Sequence, residues 1–444
     1  MSTLRRALRL PHATALVIGT IIGASIFVQP SEVTSQVHSV QMVLLVWLAA
    51  GALTLIGSLV CAELASTFTR TGGVYVYLSE AFHPALGFLW GWAMLLTMHS
   101  GIIAAIATVF ARYAGFFFPL DTTGGRIVAI GVILLLSAIN YVGVQHGARL
   151  QTLFTAGKLL AVALIVTLGF ALGGRVSGHF VGSSTARGET LGGFLLAMVA
   201  GLFTYGGWHM VTYSSEETVD PARTIPRALL IGTVAVTLIY MAMNAVYLYV
   251  LPLDQVARST RVAADLADVL LGSGGAGVMS GIVMFSTFGA LTGIILTGPR
   301  VYYAMAQDGL LFRWFGVLHP RFGTPHRAII LQAVWASVLV ATGTFRALFT
   351  RVVYTEWIFF GLLAIGLILL RRRRDLTRQY SIWGYPVLPI VFAISSFAIV
   401  INTLRSQPRD AAIGLSLVLL GWPIYLMWGR KLRSQTSDLR PKWQ

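Results

Sequence analysis

Only three lysines occur among 444 residues, and one of them sits where a charge is expensive. Lys431 and Lys442 belong to the polar C-terminal tail. Lys158 lies in Phe154-Thr-Ala-Gly-Lys-Leu-Leu160, inside a long apolar run. An ionisable group at membrane depth is costly and marks a functional site by default. Snorkelling to the nearer interface is the bland alternative. Lys158 stands roughly ten residues into its run, about 15 Å at 1.5 Å per residue, which is too deep for that. Glu356, in Tyr354-Thr-Glu-Trp357, is a second intramembrane charge. Its carboxylate can attract a cationic side chain, carry a proton, or pair with Arg351; all three stay open. His99 is alone in its apolar run, has no second ligand at metal spacing, and reads as a packing histidine.

Two apolar runs carry small residues at mid-length. One reads Val17-Ile-Gly-Thr-Ile-Ile-Gly-Ala-Ser-Ile-Phe27; the other reads Gly201-Leu-Phe-Thr-Tyr-Gly-Gly-Trp-His209. Glycine lowers helix stability by about 1 kcal/mol relative to alanine. Gly206-Gly207 is therefore a natural place to unwind. Close helix packing is the other use of such glycines.

The elements that must hold these residues are long apolar helices. A hydrocarbon core about 30 Å thick needs roughly 20 apolar residues per helix. Runs of that length fall near 13–36, 41–68, 85–111, 127–144, 149–172, 191–216, 227–250, 277–302, 326–344, 350–370, 384–404 and 411–429. Apolar types make up 56% of the chain and charged types 11%, too little charge to cover a soluble protein of this length. The net charge of +16 would suggest nucleic acid in a soluble protein. Against this apolar background it suggests a bilayer, with arginine along its cytoplasmic face, and no nucleic-acid partner. With the N-terminus inside, inner segments hold 21 Lys/Arg and outer segments 10, so both termini are expected in the cytoplasm. Arg5, Arg6 and Arg9 precede a mature first helix with no signal-cleavage pattern. The run Arg371–Arg374 reads as a topology anchor. The outer loop 251–276 is expected to hold a short amphipathic helix, a candidate lid.

The two glycine sites open the first and sixth spans. That spacing fits a five-plus-five inverted repeat, with substrate at the midplane between discontinuous helices. Half-helix N-termini offer free N–H groups to an anion, and C-termini offer carbonyls to a cation. An α-amino acid carries both charges.

These residues resemble the amino acid–polyamine–organocation transporter superfamily, and within it the L-type amino acid transporters and their bacterial relatives. Gly19-Thr-Ile-Ile-Gly-Ala-Ser-Ile-Phe27 is similar to the first-helix motif of that family. Ala62-Glu-Leu64 with Gly72-Gly-Val-Tyr75 resembles the end of its second helix. Gly201–Trp208, Glu216-Glu217 and Pro221–Pro226 resemble its sixth helix and inner loop, and Arg300–Leu310 the end of its eighth. The likeness runs along most of 12–375. It implies an all-α integral membrane protein, one membrane domain over 1–444 with twelve transmembrane helices. Helices 1–5 form a first inverted repeat over 12–172, helices 6–10 a second over 191–370, and helices 11–12 lie within 383–430. Helices 1 and 6 are broken.

The resemblance also implies roles. Ile21, Gly23, Ala24, Ser25 and Ile26 line the first break, with amides near 24–26 holding a substrate carboxylate. Carbonyls of Ile21, Phe203 and Gly206, beside Gly207, hold its ammonium. Phe203 is the gate, Trp208 and His209 border the side-chain pocket, and Glu356 faces it. If His209 and Glu356 both titrate there, activity varies with pH. In sodium-coupled relatives of the fold, a sodium ion joins the first and fifth helices. Lys158 is placed to replace it, which implies sodium-independent transport; proton coupling through Lys158 remains the alternative to exchange. Two positions depart from the family pattern. Ser25 replaces an expected glycine, and His209 replaces a frequent asparagine. Glu63, Glu216 and Glu217 near inner helix ends, with Arg223, Arg227 and Arg300 as partners, form either an inner gate or static ion pairs.

The expected function is therefore sodium-independent amino acid transport across a bacterial plasma membrane by alternating access, most simply exchange of neutral amino acids. A proton-coupled permease for cationic amino acids or polyamines is the runner-up. A transporter-like sensor is the alternative from another class. No HExxH, GxSxG or clustered ligand pattern occurs, so no catalytic residue, metal or cofactor is expected. The single cysteine, Cys61, cannot form an internal disulfide, and 112–126 contains none. Animal L-type transporters use a cysteine there to join a glycoprotein, so no such subunit is expected.

Overall fold

The computed structural model describes residues 8–427, apart from 143, 174–189, 273 and 344. Arg5, Arg6, Lys431 and Lys442 lie outside the described residues. In chain order the helices are α1 (Leu10–Ile21), α2 (Gln29–Thr34), α3 (Val40–Thr67), α4 (Val74–Ala81), α5 (Pro84–Ala93), α6 (His99–Ala114), α7 (Thr122–Val142), α8 (Val144–Leu172), α9 (Leu191–Thr204), α10 (Pro221–Val250), α11 (Leu253–Arg258), α12 (Val262–Leu271), α13 (Gly275–Gln307), α14 (His326–Thr342), α15 (Phe345–Leu370), α16 (Val387–Ser406) and α17 (Pro408–Leu419). A π turn, Met94–Met98, joins α5 to α6. The sole extended pairing among the described residues is one bridge between Leu8 and Thr218.

Local chemistry sets several starts. The Ser39 hydroxyl accepts from the Met42 amide at 3.3 Å to cap α3, and Thr190 does the same for α9 through Gly193 at 3.1 Å. Pro84 opens α5, where its missing N–H costs nothing.

Among the described residues, eleven stretches are long and apolar enough to cross a bilayer, and this is a multi-pass membrane protein. α14, read from sequence as the ninth span, is shorter at 17 residues. The stretch Pro84–Ala114 is mostly buried, whereas Pro408–Met427 is mostly exposed. The α5–α6 segment is thus central and α17 peripheral. Large apolar side chains such as Leu160, Leu238 and Ile394 are exposed on the periphery, a surface suited to lipid rather than water. The loop expected to hold one short helix holds two, α11 and α12, and α12 buries Val262, Ala263, Leu266 and Ala267.

Charges gather where α3, α13 and α15 end. Glu63 is fully buried and accepts from Arg371 Nε at 2.7 Å, Arg371 Nη2 at 2.6 Å and the Ile382 amide at 2.8 Å. Arg378 lies 3.8 Å away. This corrects the expectation that Glu63 pairs with Arg223, Arg227 or Arg300. The loop after α15 folds back over the end of α3, so the anchor run itself supplies the partner. Arg300 pairs instead with Glu217 at 3.2 Å, and Arg223 lies 3.9 Å from Asp220. Glu216 accepts from the Thr71 amide at 3.2 Å, while Arg70 and the Tyr75 hydroxyl both meet Asp308.

Candidate functional site: a cavity between two interrupted helices

α1 stops at Ile21. Ile22 is extended, and the chain re-enters a short 3-10 turn at Ser25–Phe27. Ending a helix frees its last carbonyls and the first amides of the next turn. Here the carbonyls find side chains from distant helices. Lys158 Nζ, on α8, donates to Gly19 O at 3.0 Å and Ile22 O at 2.9 Å. The Tyr240 hydroxyl, on α10, donates toward Ile21 O at 2.9 Å and also lies 3.2 Å from Thr204 O. On the far side, the turn's first bond runs from Phe27 N to Ala24 O, so the amides before it stand outside that ladder.

α9 stops at Thr204, and 3-10 structure resumes at Trp208–Glu217. The gap is closed locally. Gly206 N donates to Phe203 O at 3.0 Å, and Gly207 sits at φ +100°. A side chain at 207 would be strained by that φ, and its Cβ would fall 2.9 Å from Thr20 O. Glycine therefore lets α1 and the end of α9 touch. The Thr20 hydroxyl lies 3.1 Å from Gly207 O across the contact.

A cavity lies between the two gaps. Its wall holds Ile21, Gly23, Ser25, Phe203, Gly206, Gly207 and Glu356, all predicted from sequence. The cavity is small, with room for about one water. Ala24 and Ile26 are buried beside it but not on its wall.

The whole stretch from 8 to 427 matches the sequence profile of the amino acid permease family. This chain belongs to that family. It is 32% identical over 435 residues to the human large neutral amino acids transporter small subunit 2, covering 96% of this chain and 80% of the relative. It is 32% identical over 436 residues to the serine/threonine exchanger SteT of Bacillus subtilis, covering 97% and 98%. The human b(0,+)-type amino acid transporter 1 matches at 32% over 413 residues, covering 92% and 84%. The permease is thus an amino acid transporter of the amino acid–polyamine–organocation superfamily, not an enzyme.

Trp208 and His209 of the permease do not border the cavity. His209 is buried among Trp90, Trp208, Tyr213 and Phe360, at ring-centroid distances of 5.8, 5.4, 5.6 and 5.0 Å. Its Nδ1 has no hydrogen-bond partner among the described residues. The reason is local. A 3-10 turn repeats every three residues, so Met210, three after Gly207, takes the cavity face. His99 is buried with Nε2 2.7 Å from Ile294 O, as a packing histidine.

Glu356 does not pair with Arg351. Arg351 bonds Asp410 on α17 at 2.6 Å. Five residues apart on one helix, the two side chains point about 140° away from each other. No described residue bonds the Glu356 carboxylate, which faces the cavity. Sequence reasoning missed the remaining wall: Thr20, Ile102, Ile106, Met210, Ile294 and Val352. It also missed Tyr240, whose hydroxyl reaches both gaps. An apolar residue in an apolar helix carries no local mark of facing a cavity.

Proposed function

We propose that this permease is a sodium-independent exchanger of neutral amino acids working by alternating access. The observation that carries this reading is the Lys158 ammonium on the carbonyls of Gly19 and Ile22. A fixed cation fills the place where a coupling ion would join α1 to α8. On this reading the chain has twelve spans, α14 counted among them, in two five-span repeats over 12–172 and 191–370 followed by two helices within 383–430. Helices 1 and 6 are the broken pair. The amides near 24–26 take the substrate carboxylate, and the carbonyls of Ile21, Phe203 and Gly206 take its ammonium. Phe203 closes over it. Trp208 and His209 act on the side-chain pocket from behind Met210. The arginine asymmetry, 21 inner against 10 outer basic residues, supports cytoplasmic termini in a bacterial plasma membrane. Buried Cys61, the single cysteine, supports a transporter without a disulfide-linked subunit.

The test is uptake of labelled amino acids into proteoliposomes, empty or preloaded, without sodium and with a proton gradient on or off. Exchange predicts uptake that needs internal amino acid and ignores both gradients. Uptake into empty vesicles driven by protons would replace exchange with symport. Binding without flux would make the protein a sensor.

A further inference from the structure

The cavity wall is apolar except at a few points, and those points differ in kind. The Thr20 hydroxyl is already engaged by the carbonyls of Leu16, Val17 and Gly207. The Ser25 hydroxyl and the Glu356 carboxylate line the same cavity with no hydrogen-bond partner among the described residues. Both residues are buried, at 6% and 5% exposure. A buried polar group without a partner costs free energy, and native interiors rarely leave one so. A ligand that bonds both groups would remove that cost.

We propose that Glu356 selects substrate by side chain, so that the permease prefers short hydroxyl-bearing amino acids over apolar ones of the same shape. This rests on the reading of the cavity as the substrate site. Charged or protonated, a carboxyl group accepts a hydrogen bond from a hydroxyl. An apolar side chain at the same place would leave it unpaired. The rest of the wall limits length. Ile102, Ile106, Ile294 and Val352 surround the cavity, and β-branched side chains are stiff. A long cationic side chain finds little room there, and the Lys158 ammonium already stands on the first gap.

The main-chain groups of a substrate are met by backbone at the two gaps. Its carboxylate falls to the amides near Ser25, whose hydroxyl adds a donor on that side. Glu356 comes from a different helix, α15, and so reads what the backbone groups do not.

Threonine and valine test this cleanly, because they have one shape and differ by hydroxyl against methyl. In preloaded proteoliposomes the wild-type ratio of initial threonine to valine exchange should be about tenfold or more, since a site built around a hydrogen bond rejects the analogue lacking it. Glu356→Leu should bring that ratio to about one or below while valine exchange continues. Glu356→Gln, which still accepts a hydrogen bond, should keep most of the preference. Equal wild-type exchange of the two would overturn the proposal, as would a preference for lysine over threonine. Loss of all substrates alike in Glu356→Gln would overturn it too, by assigning the carboxylate to the common main chain. Should Glu356→Leu fail to fold, the wild type and Glu356→Gln still decide. Threonine-specific thermal stabilisation without flux would leave the selectivity standing and sink the transport reading instead.

Discussion

The two helix gaps solve one problem in different ways. Both must satisfy backbone groups that a helix would have paired, at a depth where water is scarce. The first gap borrows side chains from afar: Lys158 from α8 and Tyr240 from α10 supply its carbonyls. The second closes mainly on itself, with Gly206 bonding Phe203 and Gly207 turning through positive φ, and takes from outside only the hydroxyls of Tyr240 at Thr204 O and Thr20 at Gly207 O. The first gap is thus a junction of three helices and the second a local turn. A junction is sensitive to what its neighbours do. That suits an element that must rearrange, whereas the local turn suits one that moves as a unit.

The largest effect is expected at Lys158. Lys158→Met removes two charge-assisted hydrogen bonds, each worth about 1.5–3 kcal/mol, and leaves two buried carbonyls unpaired. Exchange should fall at least a hundredfold while the second gap is unaffected. Near wild-type exchange in Lys158→Met proteoliposomes would show that the junction is not what holds α1. Lys158→Ala additionally leaves room between Gly19 O and Ile22 O. Restoration of exchange by sodium would mean that a bound sodium ion can stand in for the ammonium. Gly207→Ala comes next. The left-handed φ and the close Thr20 carbonyl make it cost about 1–3 kcal/mol. Its effect should appear as a lower melting temperature of the purified permease and a tenfold loss of exchange. An unchanged melting temperature would mean that this turn relaxes freely.

The same contrast explains what the sequence made legible. Helix-length apolar runs need no alignment to find, because lipid demands them. A lone lysine within one and a Gly-Gly pair within another are equally conspicuous, and the small residues Gly23-Ala24-Ser25 are the local sign in the first. Partners brought from other helices were not legible. Tyr240 is one tyrosine among several in apolar helices, and Arg371 lies in a basic run that has a sufficient explanation as an anchor. Nothing near either residue shows that a fold will carry it to Ile21 or Glu63. Nor does the sequence alone show which way His209 faces. It lies beside Trp208 in sequence, but two residues beyond Gly207 either an α or a 3-10 turn points it roughly 200–240° away from Gly207, on the face opposite Met210.

Tyr240→Phe probes the junction more gently than Lys158. It removes one hydroxyl near two carbonyls, at a cost of about 1 kcal/mol, since hydrogen bonds between membrane helices average about 0.6. Because Tyr240 is absent from the cavity wall, the maximal rate of exchange should fall severalfold with the half-saturating concentration nearly unchanged. A change confined to that concentration would instead make the hydroxyl a substrate ligand.

The smallest effect belongs to Thr20, the residue that joins the two gaps. Its hydroxyl has Leu16 O at 2.8 Å and Val17 O at 3.1 Å within its own helix, besides Gly207 O at 3.1 Å. A hydroxyl donates one proton, so the bond across the gaps competes with bonds along α1. Thr20→Val keeps the shape and removes that choice. If the cross-gap bond is a minor population, melting temperature and exchange should stay within about twofold of wild type, and Thr20→Val combined with Tyr240→Phe should be additive. A loss as large as that of Gly207→Ala would mean that the two gaps are one coupled element, and that the division between junction and local turn fails.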